Sequence, residues 1–397
     1  MFALLLFATA AAVSFRTDFE AGNLGRVETV APDHYRCHVL GEVDQDKRNR
    51  QASWYYFRID GARGRTLTID LVDLAGEYNY QPTQGAIIAE TPPYYSEDQK
   101  TWRPLEGEFD AAGPRMRVRV EPHANRVWIA HQPPYTTQNL AILLSEMRSN
   151  RAFSVENVGK TVHKRDIPLV TITDPATPVA GKKVIWILFR QHSWEAGSSW
   201  AGEGAIRFLL SAKPEAAAIR RATVFKIFPM CDPDGVARGG VRFNANGFDL
   251  NRNWDVHDPV RMPEIDAERG AILKWVDAGG RVDLALTLHN DEKPEYIESA
   301  PGQEHMPLAH RFYAALEQSP VFAPTKPVAP STVSTTAGKP GRMSFHQGLY
   351  NDRKLPAFLI EQMTVSHPKL GRRPVAADRI RFGEDLVKAM AEAVGAR

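Results

Sequence analysis

Four nearly continuous apolar runs recur in the second half of the chain: "KKVIWILF" (182–189), "ATVFKIFPM" (222–230), "VDLALTLHN" (282–290) and "PAFLIEQMT" (356–364). Between and around them lie segments of helical periodicity, "SSWAGEGAIRFLLSA", "EIDAERGAILKWVDAG" and "HMPLAHRFYAALEQS". A strand that is apolar on both faces needs cover on both faces, and interposed helices supply it. The pattern predicts an α/β layer over residues 151–397, a mixed and largely parallel sheet flanked by helices. The chain closes on "AADRIRFGEDLVKAMAEAV", whose Ile380, Leu386, Val387 and Met390 make one apolar stripe for packing on that sheet.

Before residue 150 the texture differs. "SWYYFRID", "RTLTIDLVDL", "RMRVRVEP" and "RVWIAH" place aromatic and β-branched residues at period two between Gly, Pro, Asn and Asp clusters. That predicts an antiparallel β-sandwich or barrel over residues 14–150, the sandwich being the expected form. Two domains also suit 397 residues, which exceed what one ordinary core holds. The formal net charge of +2, from 49 basic and 47 acidic side chains, creates no field that would draw nucleic acid or an anionic membrane. The opening "MFALLLFATAAAVSF" carries no charge and runs into small residues around Ala8 to Ala12. Residues 1–13 are therefore expected to be a secretory signal peptide, shorter than the ~20 residues of a bilayer span. On that reading the mature protein is exported, periplasmic or secreted, with no stable membrane association; if the segment is an N-terminal strand instead, it is cytoplasmic. Cys37 and Cys231, the two cysteines, fall in different domains and are expected as free thiols. The stretch "SPVFAPTKPVAPSTVSTTAGKPGR" (319–342) is too rich in Pro, Ser, Thr and Gly to be a core element and is expected as a loop.

Ligands of open α/β sheets bind at the carboxyl ends of the strands. Polar stretches stand there: "RQHSWE" after the first strand, "CDPDG" after the second, "HNDE" after the third, and Glu361 at the end of "AFLIE". His192, Glu195 and His289 offer two imidazoles and a carboxylate, a set that leaves zinc a fourth position for water. Taken singly, an H-x-x-E pair also fits a surface turn before a helix, and a lone His289 fits the core. The segment "FPMCDPDGVARGGVRFNANGFDLNRNWD" (228–255) adds a Pro-Asp-Gly turn, a glycine-rich backbone, and Arg242, Asn251 and Arg252. These are donors without a local acceptor, suited to a two-pronged grip on a carboxylate. The plainer alternative pairs Arg252 with Asp249 or Asp255.

In this combination the chain resembles the zinc metallocarboxypeptidase family, within its cytosolic-carboxypeptidase branch, which trims polyglutamate and C-terminal residues. "RQHSWEAGSSWAGEGAIRFLL" is similar to the branch's R-x-H-P-G-E followed by an apolar helix, and "PMCDPDGVARGGVRFNANGFDLNRNW" to its P-x-x-N-P-D-G-V, G-x-x-R and G-x-D-L-N-R-x-W elements. "SWYYFRIDG" and "TWRPL" resemble the β-sandwich that precedes the catalytic domain in that branch. The resemblance implies the zinc carboxypeptidase fold and one Zn2+ held by His192, Glu195 and His289. It makes Glu361 the general base, Arg242 the group that meets the oxyanion, and Asn251 and Arg252 the holders of the substrate's terminal carboxylate. The implied substrate is a peptide or peptide-like molecule with a free C-terminus. An N-acyl amino acid deacylase of the aspartoacylase type, and a catalytically silent zinc or peptide-binding module, are the alternatives. The chain departs from the pattern at Ser193-Trp194, expected to reshape the pocket, and at Asp232, expected to disfavour acidic substrates. Tyr350 is the candidate for the family's substrate-facing tyrosine. Lys339, Arg342, Arg353 and Lys354 are read as solvated charges, with recognition of an acidic terminal residue as the alternative.

Overall fold

A computed structural model describes residues 12–83, 85–332 and 342–396. The first eleven residues of the expected signal peptide and Lys339 lie outside them.

In the C-terminal half eight strands form one sheet. Its spatial order is Phe153–Lys160, Asp166–Ile172, Thr223–Phe228, Lys183–Phe189, Leu284–Asp291, Ala357–Met363, Tyr296–Ser299 and Ala329–Pro330. The four central strands run parallel, as the apolar runs predict. The hairpin at one side and Tyr296–Ser299 at the other pair antiparallel, so the sheet is mixed. Helices cover both faces. On one side Ala196–Leu209 crosses Ala376–Ala393 so closely that a Cβ at Gly204 would strike the Ile380 carbonyl oxygen and one at Gly383 the Ala201 carbonyl oxygen. Leu386, Val387 and Met390 enter the core as expected, while Ile380 sits half-buried at the crossing. On the other side Trp186, Phe228, Trp254, Ile265, Ile272 and Phe345 form a second buried cluster.

The N-terminal domain has two five-stranded sheets around Phe57, Ile59, Leu67, Ile69, Val118 and Ile129. One pair departs from the antiparallel expectation: His34–His38 runs parallel to Leu67–Val72. Between them the chain leaves to build Tyr56–Asp60 in the opposite sheet, and such a crossover returns a strand in its original direction. A third, small sheet of Glu42–Val43, Arg50–Gln51, Gly76–Tyr78 and Gln81–Thr83 faces the catalytic half. There Gln45 N donates to Gly247 O at 3.1 Å, across a glycine whose φ of 84° is open to few other residues. Another part of the seam is aromatic: Trp54, Tyr56, Tyr94, Trp102 and Trp128 pack with Trp194 and Val241 of the catalytic half. Cys37 and Cys231 are buried, free and in separate cores.

One buried acid is left poorly matched. Glu268, on the helix Pro263–Asp277, has no exposed surface and faces the Cys231 thiol, with no N–H or O–H donor within hydrogen-bonding reach of either oxygen. Burial, aided by the neighbouring Glu264 and Asp232, pushes its carboxyl well above the usual range. The folded state thus holds this proton more tightly than the unfolded chain. Its contribution to stability is complete below the unfolded value of ~4.3 and falls as pH rises from there toward the folded value. Glu268→Gln removes the titration, and it is expected to stabilise the protein at pH 8 by about 1 kcal/mol or more, roughly 2–4 °C in Tm. The gain should vanish near pH 4. Thermal unfolding at both pH values checks this, and an equal Tm change at each would rule it out.

Candidate active site

The ligand turn grows directly out of the central strand Lys183–Phe189. Arg190, the first residue past it, has φ of 63°, in the left-handed region that non-glycine residues seldom occupy. Its buried guanidinium holds the turn: Nε and Nη2 donate to Ser193 O at 3.0 and 2.7 Å, and Nη1 donates to Ser199 Oγ at 3.1 Å. The helix Ala196–Leu209 starts immediately after Glu195 and is tied to the next strand by Ser198, whose Oγ donates to Leu288 O at 2.7 Å. His192 and Glu195 are thereby fixed beside His289, near the carboxyl end of that strand, Leu284–Asp291.

The three side chains meet. His192 Nδ1 lies 2.6 Å from Glu195 Oε1, His289 Nδ1 lies 2.9 Å from Glu195 Oε2, and one donor atom from each of the three falls within 4.8 Å of the others. All three are at least 98% buried. Burial alone would raise the Glu195 carboxyl, but the two imidazoles outweigh it and hold the group down at about 2. Two imidazole nitrogens and a carboxylate, buried and turned to a common point, fit a zinc ion with an open coordination position. The far side of each ring is also occupied. His192 Nε2–H donates to Asp249 Oδ1 at 3.0 Å, and Arg242 Nε donates to Asp249 Oδ2 at 2.7 Å. His289 Nε2 lies 3.0 Å from Thr287 Oγ1 and 3.2 Å from Gln191 Oε1. Such partners set ring orientation and the nitrogen left for a metal.

Glu361 stands in register with His289 on the adjacent parallel strand and with Tyr296 on the antiparallel strand beyond it. Burial, reinforced by the carboxylates of Glu195 and Asp291, pushes its carboxyl well above the usual range, and Oε2 takes no hydrogen bond within the described protein. An orphaned carboxylate oxygen beside the triad is what a water-activating group requires.

Several residues stand elsewhere than the sequence suggests. Arg242 is not without a local acceptor, because Asp249 engages it; Asp249 therefore does not pair with Arg252. Arg252 makes no ion pair within 4 Å among the described residues, and its Nη1 donates to Asn251 O at 2.8 Å. Asn251 is buried, with Oδ1 accepting from Phe345 N at 2.9 Å and Nδ2 lying 3.1 Å from His289 Nε2. Trp194 does not shape the pocket: it points into the aromatic seam, 4% exposed, with its ring 5.8 Å from His131. Asp232 cannot repel a substrate, since it is fully buried and accepts from Gly235 N at 2.8 Å, starting the short helix Pro233–Arg238. Tyr350 lies on Phe345–Arg353, where its neighbours are Glu304, His305 and Lys354. Arg353 pairs with Asp277, and Lys354 lies over the Tyr350 ring. Arg342 instead lines a cavity of about 460 Å³ between the domains, together with Arg242, Asp249, Arg252, Asp46 and Arg48.

Comparison with known proteins agrees with this layout. Residues 141–293 match the zinc carboxypeptidase family, and residues 15–131 match the cytosolic carboxypeptidase N-terminal domain. The chain carries a zinc carboxypeptidase domain behind a cytosolic carboxypeptidase N-terminal domain. Among its relatives, an uncharacterized protein of Zymomonas mobilis is 28% identical over 283 residues, which cover 70% of this chain and 68% of the relative. Cytosolic carboxypeptidase 6 of Caenorhabditis elegans is 29% identical over 280 residues, 66% of this chain, and the match spans only 58% of that longer protein. In fold, the chain is similar to a metallo-carboxypeptidase from Burkholderia cenocepacia, with a TM-score of 0.81 at 23% identity over 97% of this chain and 99% of the other. A metallo-carboxypeptidase from Pseudomonas aeruginosa, solved with (2-guanidinoethylmercapto)succinic acid, gives 0.78 at 23% identity over 96% of this chain and 99% of that one. His192, Glu195 and His289 form a group able to hold the zinc that characterises that domain.

Three residues of this site carry no role of their own in the sequence, Asp249 figuring there only as an alternative partner for Arg252. Asp249 and Arg190 stand inside the quoted motifs G-x-D-L-N-R and R-x-H, so a signal existed for both. Tyr296 had none, because its place beside Glu361 comes only from the pairing of two strands about 60 residues apart in the chain.

Proposed function

We propose that the protein is a zinc-dependent carboxypeptidase that hydrolyses the last peptide bond of substrates with a free C-terminal carboxylate. The convergence of His192, Glu195 and His289 within 4.8 Å, with Glu361 one strand away in register, carries this reading. Bound zinc supplies a Lewis acid for the scissile carbonyl and lowers the pKa of water. Glu361, whose free oxygen has no competing donor, accepts a proton from the attacking water and passes it to the departing amine as the carbon–nitrogen bond breaks. Arg242 faces the oxygen on which negative charge grows, and because Asp249 holds its Nε, the guanidinium does not have to reorganise during the step. Arg252, with Asn251 beside it, receives the terminal carboxylate and thereby restricts cleavage to the last bond.

Incubating the zinc-loaded protein with a defined peptide mixture and reading products by mass spectrometry tests this directly. Products shortened by one C-terminal residue are expected. N-acyl amino acids consumed faster than any peptide would instead favour a deacylase. Arg252→Ala is expected to raise KM for free-acid peptides by about 10-fold or more while leaving C-terminally amidated analogues unaffected. An equal loss on both would remove Arg252 from carboxylate capture.

A further inference from the structure

Glu42, from the small sheet of the N-terminal domain, reaches across the domain boundary to three successive backbone N–H groups of the catalytic half. Its Oε2 accepts from Val241 N at 3.0 Å, Arg242 N at 2.5 Å and Phe243 N at 2.9 Å, while Oε1 pairs with Arg238. Consecutive N–H groups converging on one point form an anion-binding nest, and here another domain fills it with a side chain. The bonds are charge-assisted, and the carboxylate is only 14% exposed, so solvent and salt weaken them little. The segment they hold carries Arg242. From Arg242 a continuous set of bonds runs to the metal triad: Arg242 Nε to Asp249 Oδ2 at 2.7 Å, then His192 Nε2 to Asp249 Oδ1 at 3.0 Å.

We propose that Glu42 is a positioning residue, through which the N-terminal domain holds Arg242 and, by way of Asp249, the His192 ring in their working orientation. The proposal rests on the carboxypeptidase reading of those two residues. On it, the N-terminal domain supplies part of the support of the active site, three hydrogen bonds removed from His192. A domain that served only as an adhesive would show the same contacts but no effect on metal or turnover beyond its effect on stability.

The test uses the full zinc-loaded chain and reads two quantities, turnover of a peptide and the rate at which zinc is lost to a chelator. Glu42→Ala is expected to lower kcat by about 10- to 100-fold, to hold KM within about twofold, and to speed zinc loss by a similar 10- to 100-fold. Glu42→Gln, which keeps an oxygen for the nest, should recover most of both. Asp70→Asn is the stability control, since Asp70 binds Arg117 and His34 inside the sandwich and touches nothing in the catalytic half. It should lower Tm and leave kcat and zinc loss unchanged. If Glu42→Ala does not fold, Glu42→Asp, one methylene short of the nest, is expected to show the same two changes. Parental kcat and zinc loss in the Glu42 variants, or changes matched by Asp70→Asn at an equal loss of Tm, would overturn the proposal. If the parent hydrolyses no peptide, the hydrolase reading fails by itself, and zinc loss alone still decides the role of Glu42.

Discussion

Glu361→Gln is expected to bind zinc as the parent does and to hydrolyse peptides about 10²- to 10⁴-fold more slowly. The amide has the shape of the carboxyl group but cannot take a proton, so the substitution isolates the chemistry from the packing. The position favours a clean result. Glu361 is on the central sheet, where backbone pairing to His289 and Tyr296 fixes it, and its Oε2 has no internal partner to lose. Removing a carboxyl whose surroundings disfavour its ionised form should if anything raise the Tm. Zinc content by metal analysis and kcat on one peptide decide the matter together. Turnover within tenfold of the parent would take Glu361 out of its role, whereas loss of zinc would make it a ligand.

His192→Ala should lose both metal and activity. After dialysis the parent is expected to retain one zinc per chain and the variant essentially none, with hydrolysis below detection. Three donors become two, and the loss extends outward, because Asp249 then keeps Arg242 but no longer has a ring to orient. Burial turns the deletion into a structural question as well. Glu195 remains in a dry site with one imidazole in place of two, and the cost of an under-compensated buried carboxylate is about 3–5 kcal/mol. A lower Tm is therefore expected alongside the missing metal. A variant that retained stoichiometric zinc would show that the metal is held elsewhere.

The strands and helices of the catalytic half were legible because both faces of the sheet are covered, which writes each central strand as an unbroken apolar run. The triad was legible because two of its members lie three residues apart and the third ends such a run. What escaped was set by long-range pairing. The parallel partnership of His34–His38 with Leu67–Val72 depends on where the chain travels between them, and local alternation carries no record of that route. Trp194 and Asp232 were misassigned for a related reason: both stand within motifs that carry chemistry, yet one faces the neighbouring domain and the other begins a buried helix. Tyr350 packs among Glu304, His305 and Lys354, while Tyr296, with no motif around it, shares a rung of the sheet with Glu361.

That shared rung separates two jobs. Neighbouring strands stay about 4.8 Å apart in any sheet, so the distance between His289 and Glu361 is a property of backbone pairing and owes nothing to the surrounding loops. Several residues lining the interdomain hollow, Arg48 and Arg342 among them, belong to irregular segments with no such constraint. Selectivity for one peptide end over another can then drift by loop exchange while the hydrolytic apparatus keeps its dimensions, and laboratory retargeting should begin at the rim and leave the sheet alone.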